Sequence, residues 1–243
     1  LNSSRCTEIR CISQACRLSL KALFGQAVYD KSSLNYSCIP QKVSSVASAI
    51  TENCRFLFVG TQFELKGGES LLKAFRRVHE KVPSAQLDIV THLPTEYTDL
   101  VNGCAGINVH KAKYTRDEIH EKFMSKADVL VLPTYAESFS MVAREGLSHG
   151  LALIVTDVYG VSEMVEDGRN GYLIQPPISV WDGIMPSRYF YDLENIKKHI
   201  KETDTTIFEE KLEKAMYEFA SNPQFRLTAR QNSVRINNER FKC

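Results

Sequence analysis

No apolar run in the 243-residue sequence approaches the roughly 18 to 20 residues needed to cross a bilayer. The longest, such as Asp128-Val-Leu-Val-Leu-Pro133, are strand-sized. Excess charge is equally scarce: 30 Lys and Arg against 29 Asp and Glu leave a net charge of +1, which argues against nucleic acid as a main ligand. The common phosphate loops are missing. No Gly-x-Gly-x-x-Gly follows a candidate strand and no Gly-Lys-Ser or Gly-Lys-Thr occurs, so a dinucleotide-dependent dehydrogenase and a P-loop enzyme lose their main support. The six His show no metal-ligand spacing with Cys, Asp or Glu.

Cysteine is present, but in no pattern that carries chemistry. Seven is an odd number, and Cys6, Cys11 and Cys16 recur every five residues, about 140° apart on a helix, which makes no metal face. They are read as free or buried thiols in a reducing compartment. The acceptor patterns Asn2-Ser-Ser4 and Asn35-Tyr-Ser37 arise often by chance and are given no weight. The start at Leu1, with no Met and no signal-peptide apolar core, is read as a fragment.

What remains is an ordinary folded composition, 43% hydrophobic and 24% charged, which excludes disordered, collagen-like and coiled-coil classes. The length suits one sizeable α/β domain plus part of another. The first fifty residues are Ser-rich, with one amphipathic helix expected at about 13–23. From Arg55 the rhythm changes. Strand candidates at 55–60, 86–91, 106–110, 128–133, 151–156 and 171–174 alternate with helical patterns, the clearest at 115–125 and 140–149. This predicts an α/β fold: a doubly wound, Rossmann-like parallel sheet covered on both faces. An irregular stretch at 178–186 holds the single Trp, and C-terminal helices are expected at about 192–202, 208–220 and 224–240. Chemistry is expected beyond the carboxyl ends of the strands, after Val59, Val90, Val109 and Leu132.

Three stretches stand out there. In Pro133-Thr-Tyr-Ala-Glu-Ser-Phe-Ser-Met-Val-Ala-Arg-Glu145, Glu137 and Glu145 are eight residues apart, about 12 Å of helical rise and about 80° of rotation. Carboxyls so placed suit the two ends of one elongated ligand better than a glycosidase dyad, which needs them about 5 Å apart. Between them, Ser138, Phe139, Ser140 and Met141 would offer helix N-terminal amides to a phosphate. In Phe58-Val-Gly-Thr-Gln-Phe-Glu-Leu-Lys-Gly-Gly68, Gly60 ends a strand and lets a ligand approach the backbone, while Lys66 precedes a helix start, where it can neutralise a phosphate. Thr156-Asp-Val-Tyr-Gly-Val-Ser-Glu163 is a strand end followed by a turn, as readily structural as functional. Read singly, each is compatible with unrelated surface glutamates or a solvated loop lysine.

Together, over roughly 55–177 and in this order, these segments resemble the nucleotide-sugar-binding, C-terminal half of the family-4 retaining glycosyltransferases of the GT-B fold (glycosyl transferases group 1). The resemblance implies that Glu137 contacts the transferred sugar and Glu145 the ribose of a nucleoside-diphosphate sugar. Lys66 with the amides of residues 138–141 would hold the diphosphate, and Gly60, Thr61 and Thr134 complete the donor site, with Glu137 and Lys66 as the catalytic pair. It implies hexose transfer with retention to a hydroxyl of a glycan or lipid-linked sugar, no cofactor and no metal. It also implies a cytoplasmic location, with peripheral attachment at the inner membrane face left open.

By the same resemblance, 1–50 is the remnant of an acceptor-side domain with its linker and 51–243 the donor domain. The acceptor pocket would lie in a missing half, and the apolar side of the terminal helix is expected to be exposed. The sequence departs from the family pattern at Thr61, where an arginine is usual, at Ser140, which replaces a glycine, at Gly146, which replaces an alanine, and at Thr91-His92, which stand where many members have a Gly-rich turn. They keep open the alternative of a non-catalytic nucleotide-sugar-binding or assembly module.

Overall fold

The computed structural model describes residues 1, 3, 5–46 and 52–241. The domain boundary at 50 and 51 and the acceptor pattern at Asn2 lie outside the described residues. The N-terminal segment is richer than the one helix expected. Strands β1 (Ile9–Cys11) and β2 (Ser32–Leu34) pair in parallel around helices α1 (Gln14–Phe24) and α2 (Gln26–Asp30). Three-residue strands leave too little alternation to read. α1 begins where Ser13 caps it, its hydroxyl accepting from the Cys16 amide at 3.0 Å. Cys38 is disulfide-bonded, against the expectation of reduced thiols, whereas Cys6, Cys11, Cys16, Cys54 and Cys104 are free.

Six strands then form one parallel sheet: β3 (Arg55–Val59), β4 (Gln86–Thr91), β5 (Ile107–Lys111), β6 (Val129–Leu132), β7 (Ala152–Thr156) and β8 (Gly171–Ile174). Their order is β5-β4-β3-β6-β7-β8. β6 and β7 are buried at every residue, as strands covered on both faces must be. The connecting helices are α3 (Gly68–Lys81), α4 (Thr98–Asn102), α5 (Arg116–Ile119) and α6 (Met141–Ser148). The stretch at 178–186 contains a two-stranded hairpin, β9 (Trp181–Asp182) and β10 (Met185–Pro186), and is followed by α7 (Leu193–Glu202), α8 (Thr206–Ser221) and α9 (Pro223–Arg240).

The terminal helix corrects one expectation. The inward face of α9 is covered, with Ala229 and Ile236 fully buried and Val234 nearly so. Its many arginines and asparagines hold it to the sheet: Arg230 pairs with Asp128 at 2.6 Å, and Arg235 with Glu166 at 2.6 Å. Arg144 of α6 is wholly buried, bonded to Asn237 of α9 and to the Ser37 carbonyl, with its guanidinium 4.3 Å from the centre of the Phe241 ring. Burial pushes its pKa down to about 10.

Candidate functional site

In this strand order the chain leaves β5 on one side of the sheet and resumes at β6 beside β3, so the crossovers on either side of β3 and β6 diverge. A crevice opens at that switch point, beyond the carboxyl ends of the strands. There the structure has a cavity of about 300 Å³, within the range of small-molecule sites. It brings together Gly60, Thr61, Lys66, Glu137 and Ser140 from the expected set, with Tyr114 from the loop after β5.

Lys66 is held by its turn. Its amide bonds to Gln62, and Gly67 adopts φ 72°, a left-handed conformation in which an added Cβ would lie 2.0 Å from the Pro133 carbonyl oxygen. The Lys66 ammonium donates to Glu137 Oε2 at 2.6 Å and to the Ala136 carbonyl at 3.1 Å. Gly60 acts differently from expectation: a Cβ there would sit 3.2 Å from Lys66 Cγ, so its missing side chain makes room for the lysine stem. Glu137 is fixed from its other side. Its Oε1 accepts from the Ser138 amide at 3.0 Å, and the indole of Trp181 donates to its main-chain carbonyl at 2.7 Å.

The turn into α6 is bent sharply at Ser140, whose φ of 50° is one of two positive values among the described non-glycine residues. Its hydroxyl caps the helix by accepting from the Ala143 amide at 3.2 Å. Phe139 turns its ring into the core against Tyr36, so only its main chain is left to meet a ligand. Met141 is exposed but does not line the cavity. Neither does Thr134, which is fully buried. Its hydroxyl bonds to the carbonyls of Leu65 and Ala136, so it pins the lysine turn to the β6 loop rather than facing a ligand.

Glu145 also lies behind the cavity wall. It is nearly buried and ion-paired to Arg116, with His120 Nε2 at 3.9 Å. The regular helix expected over 115–125 is instead the single turn α5 followed by a π-helical turn, His120–Met124. Such turns displace side chains from α-helical register and recur at functional sites. His120 here meets His149, Nδ1 to Nε2 at 2.7 Å. One nitrogen of that contact must be unprotonated, so both rings cannot be cations together. Burial, then the neighbouring His120 and Lys42, lower the pKa of His149 to about 4. Burial likewise lowers His120. Sequence reasoning gave both histidines bland roles and passed over Arg116 and Trp181. Only the isolation of the single Trp flagged any of them.

The residues now assembled can be set beside known proteins. The family model described as Glycosyl transferases group 1 matches residues 53–182, more than half of the chain. The chain belongs to this family. A D-inositol 3-phosphate glycosyltransferase of Paenarthrobacter aurescens is 28% identical over 164 residues, covering 64% of this chain and 38% of the relative. The chain spans well under half the length of the curated relatives it matches.

Among solved structures, the pneumococcal O-GlcNAc transferase GtfA, described in complex with UDP and GlcNAc, superposes with a TM-score of 0.67 at 16% identity. The match covers 96% of this chain and 42% of that one. The C-terminal domain of the group 1 glycosyl transferase LpcC from Francisella tularensis gives 0.60 at 15% identity, covering 84% and 98%. At such identities the likeness establishes the fold, the Rossmann-like half of a GT-B glycosyltransferase. No helix among the described residues is long and apolar enough to cross a membrane.

Proposed function

We propose that the chain binds a nucleoside-diphosphate sugar as the donor part of a retaining, metal-independent hexosyltransferase. The acceptor would be a hydroxyl of a glycan or lipid-linked sugar, bound largely by a part of the enzyme outside this chain. The observation that carries the reading is the Lys66–Glu137 pair in the switch-point cavity, 2.6 Å apart, beside the start of α6. Two of the three Lys66 donors are spent on Glu137 and Ala136. The third serves a diphosphate oxygen.

As the bond from the anomeric carbon to the diphosphate breaks, the electron pair leaves on the phosphate, a new bond forms from the acceptor oxygen on the same face, and the acceptor's proton passes to the departing diphosphate oxygen. Negative charge therefore grows next to the Lys66 ammonium and the amides of residues 138–141, where fixed donors stabilise it most. Glu137 would orient the sugar. Glu145 would take the ribose hydroxyls once Arg116 moves aside. The lone lysine, with Thr61 rather than a second cation beside it, is also what a binding module without turnover would retain.

The UDP named for the pneumococcal neighbour makes uridine the first base to try. Calorimetry with uridine, guanosine and adenosine diphosphates and their hexose conjugates tests the reading. One diphosphate is expected to bind, and Glu145→Ala to remove the part of its affinity that depends on the ribose; retention would move the ribose site elsewhere. Binding without hydrolysis or transfer, even with the acceptor part supplied, would favour the non-catalytic module. The reading implies a cytoplasmic protein, attached at the inner membrane face if its acceptor is lipid-linked. The Cys38 disulfide is the observation against a reducing compartment, and thiol labelling of native protein decides between them.

A further inference from the structure

Among the described residues, a second cavity is larger than the one at the switch point. About 540 Å³ opens beyond the ends of β7 and β8, between the 157–162 turn, the 175–184 stretch and the start of α1. Its lining differs in kind from that of the Lys66 cavity. Among the described residues it contains the carboxylates of Asp157 and Asp182 and no lysine, arginine or histidine, which disfavours phosphate and nucleotides.

The Gln175 amide nitrogen donates to Asp157 Oδ2 at 2.6 Å. This leaves Asp157 Oδ1 and the Gln175 carbonyl to accept from hydroxyls, and one amide hydrogen to donate. Beside them the rings of Tyr159 and Trp181 stack 3.8 Å apart at 11°, and both line the cavity half-buried.

The aromatic wall is built at some cost. Tyr159 holds φ 47°, an uncommon conformation for a bulky residue, and such strain persists where the surroundings over-determine it. Its hydroxyl lies 2.8 Å from Ser19 Oγ, which in turn donates to the Ile184 carbonyl at 2.6 Å, locking the hairpin against α1. The stack leaves Tyr159 its outer face and Trp181 its edge, since Phe190 also packs on Trp181. Apolar ring surface for the C–H face of a pyranose, with a carboxylate and amide beside it for the hydroxyls, is the chemistry that retains a neutral saccharide.

We propose that this cavity is a saccharide-binding site, distinct from the donor cavity and selective for uncharged, hydroxyl-rich ligands. It is wired to the other cavity through Trp181, whose indole holds the Glu137 carbonyl. The binding claim stands without the donor reading; only the coupling rests on it.

Trp181 is the sole tryptophan, so its fluorescence reports occupancy directly. The full chain is titrated with glucose, N-acetylglucosamine and lactose, with inorganic phosphate and uridine diphosphate as contrasts, and saturation-transfer NMR provides a second readout. A saturable response to at least one sugar is expected, undisturbed by phosphate. Asp157→Asn with Gln175→Ala should weaken it roughly tenfold, the loss of one to two hydrogen bonds, while leaving uridine diphosphate affinity alone. Lys66→Ala should do the reverse.

No saturable response to any sugar, or one that survives the double variant, overturns the proposal. Loss of the sugar response in Lys66→Ala would place the sugar in the donor cavity and also overturn it. Sugar binding without uridine diphosphate binding would support the site while removing uridine as the donor base.

Discussion

Two glutamates follow neighbouring strands of one sheet, Glu137 after β6 and Glu163 after β7, and their surroundings differ. The Glu163 carboxylate takes the amides of Gln14 and Ala15, each at 2.9 Å, and the hydroxyl of Tyr36 at 2.7 Å. It caps α1 and fastens the N-terminal segment to the sheet. Glu137 takes one ammonium and the adjacent amide, and opens on a cavity. Position at the carboxyl edge is common to both. What separates a structural acid from one available to a ligand is whether the protein itself fills its acceptor capacity.

The widest test of that contrast is Glu163→Ala. It strips two helix-end amides and a tyrosine of a charged acceptor, so unfolding free energy should fall by about 4 kcal/mol in denaturant titrations. Hydrogen exchange over residues 5–46 should rise, while nucleoside-diphosphate affinity stays within a factor of about three. Lost affinity with stability intact would reverse the assignment of the two acids.

The donor side should also carry a pH signature. The folded-state pKa of His149 lies at about 4, below its ordinary value of 6.5. The unfolded chain therefore binds the extra proton between those values. The contribution is fully present above pH 6.5 and is lost as pH falls towards 4, on the order of 3 kcal/mol. Stability measured from pH 4 to 7 should rise with this slope in the parent chain and flatten in His149→Gln. An unchanged slope would locate the titration elsewhere.

The third effect is smaller and reads on binding. Lys66→Ala removes one charge-assisted contact, about 2 kcal/mol, or some thirtyfold in nucleoside-diphosphate affinity by calorimetry. The pair is mostly buried, with side chains 17% and 20% exposed, so losing it should also lower stability, by about 1 kcal/mol. Unchanged affinity would mean that the lysine serves only to hold Glu137.

How far the sequence carried this contrast follows from the kind of order involved. All six sheet strands were legible because β6 and its neighbours are short apolar runs separated by helical periodicity, and local pattern is enough for that. Lys66, Glu137 and the α6 start were legible because each lies next to its own strand end. Arg116 beside Glu145, the His120–His149 contact and Trp181 on the Glu137 carbonyl join residues 29 to 44 positions apart, and no local pattern encodes them. The role of Glu163 was invisible for the same reason, since its partners lie 127 to 149 residues away. The covered face of α9 escaped because exposure was expected from a missing half, whereas the cover comes from residues of this chain remote in sequence, among them Asp128, Arg144 and Glu166.

The finest comparison is between Ser140 and the glycine that the family pattern favours there. Ser140 sits at φ 50° and ψ 97°, where a side chain costs about 1 to 2 kcal/mol and glycine does not. Ser140→Gly relieves that strain, gives up a few tenths of a kcal/mol of capping to Ala143, and adds chain entropy to the unfolded state. The net expectation is a gain in stability of under about 1 kcal/mol, a rise in Tm of a few degrees at most. Because the amides next to the cavity then sit on an unstrained turn, diphosphate affinity should hold or improve. If stability instead falls, the serine hydroxyl contributes more to the α6 start than its backbone conformation costs, and the departure from glycine is a structural adaptation of this loop.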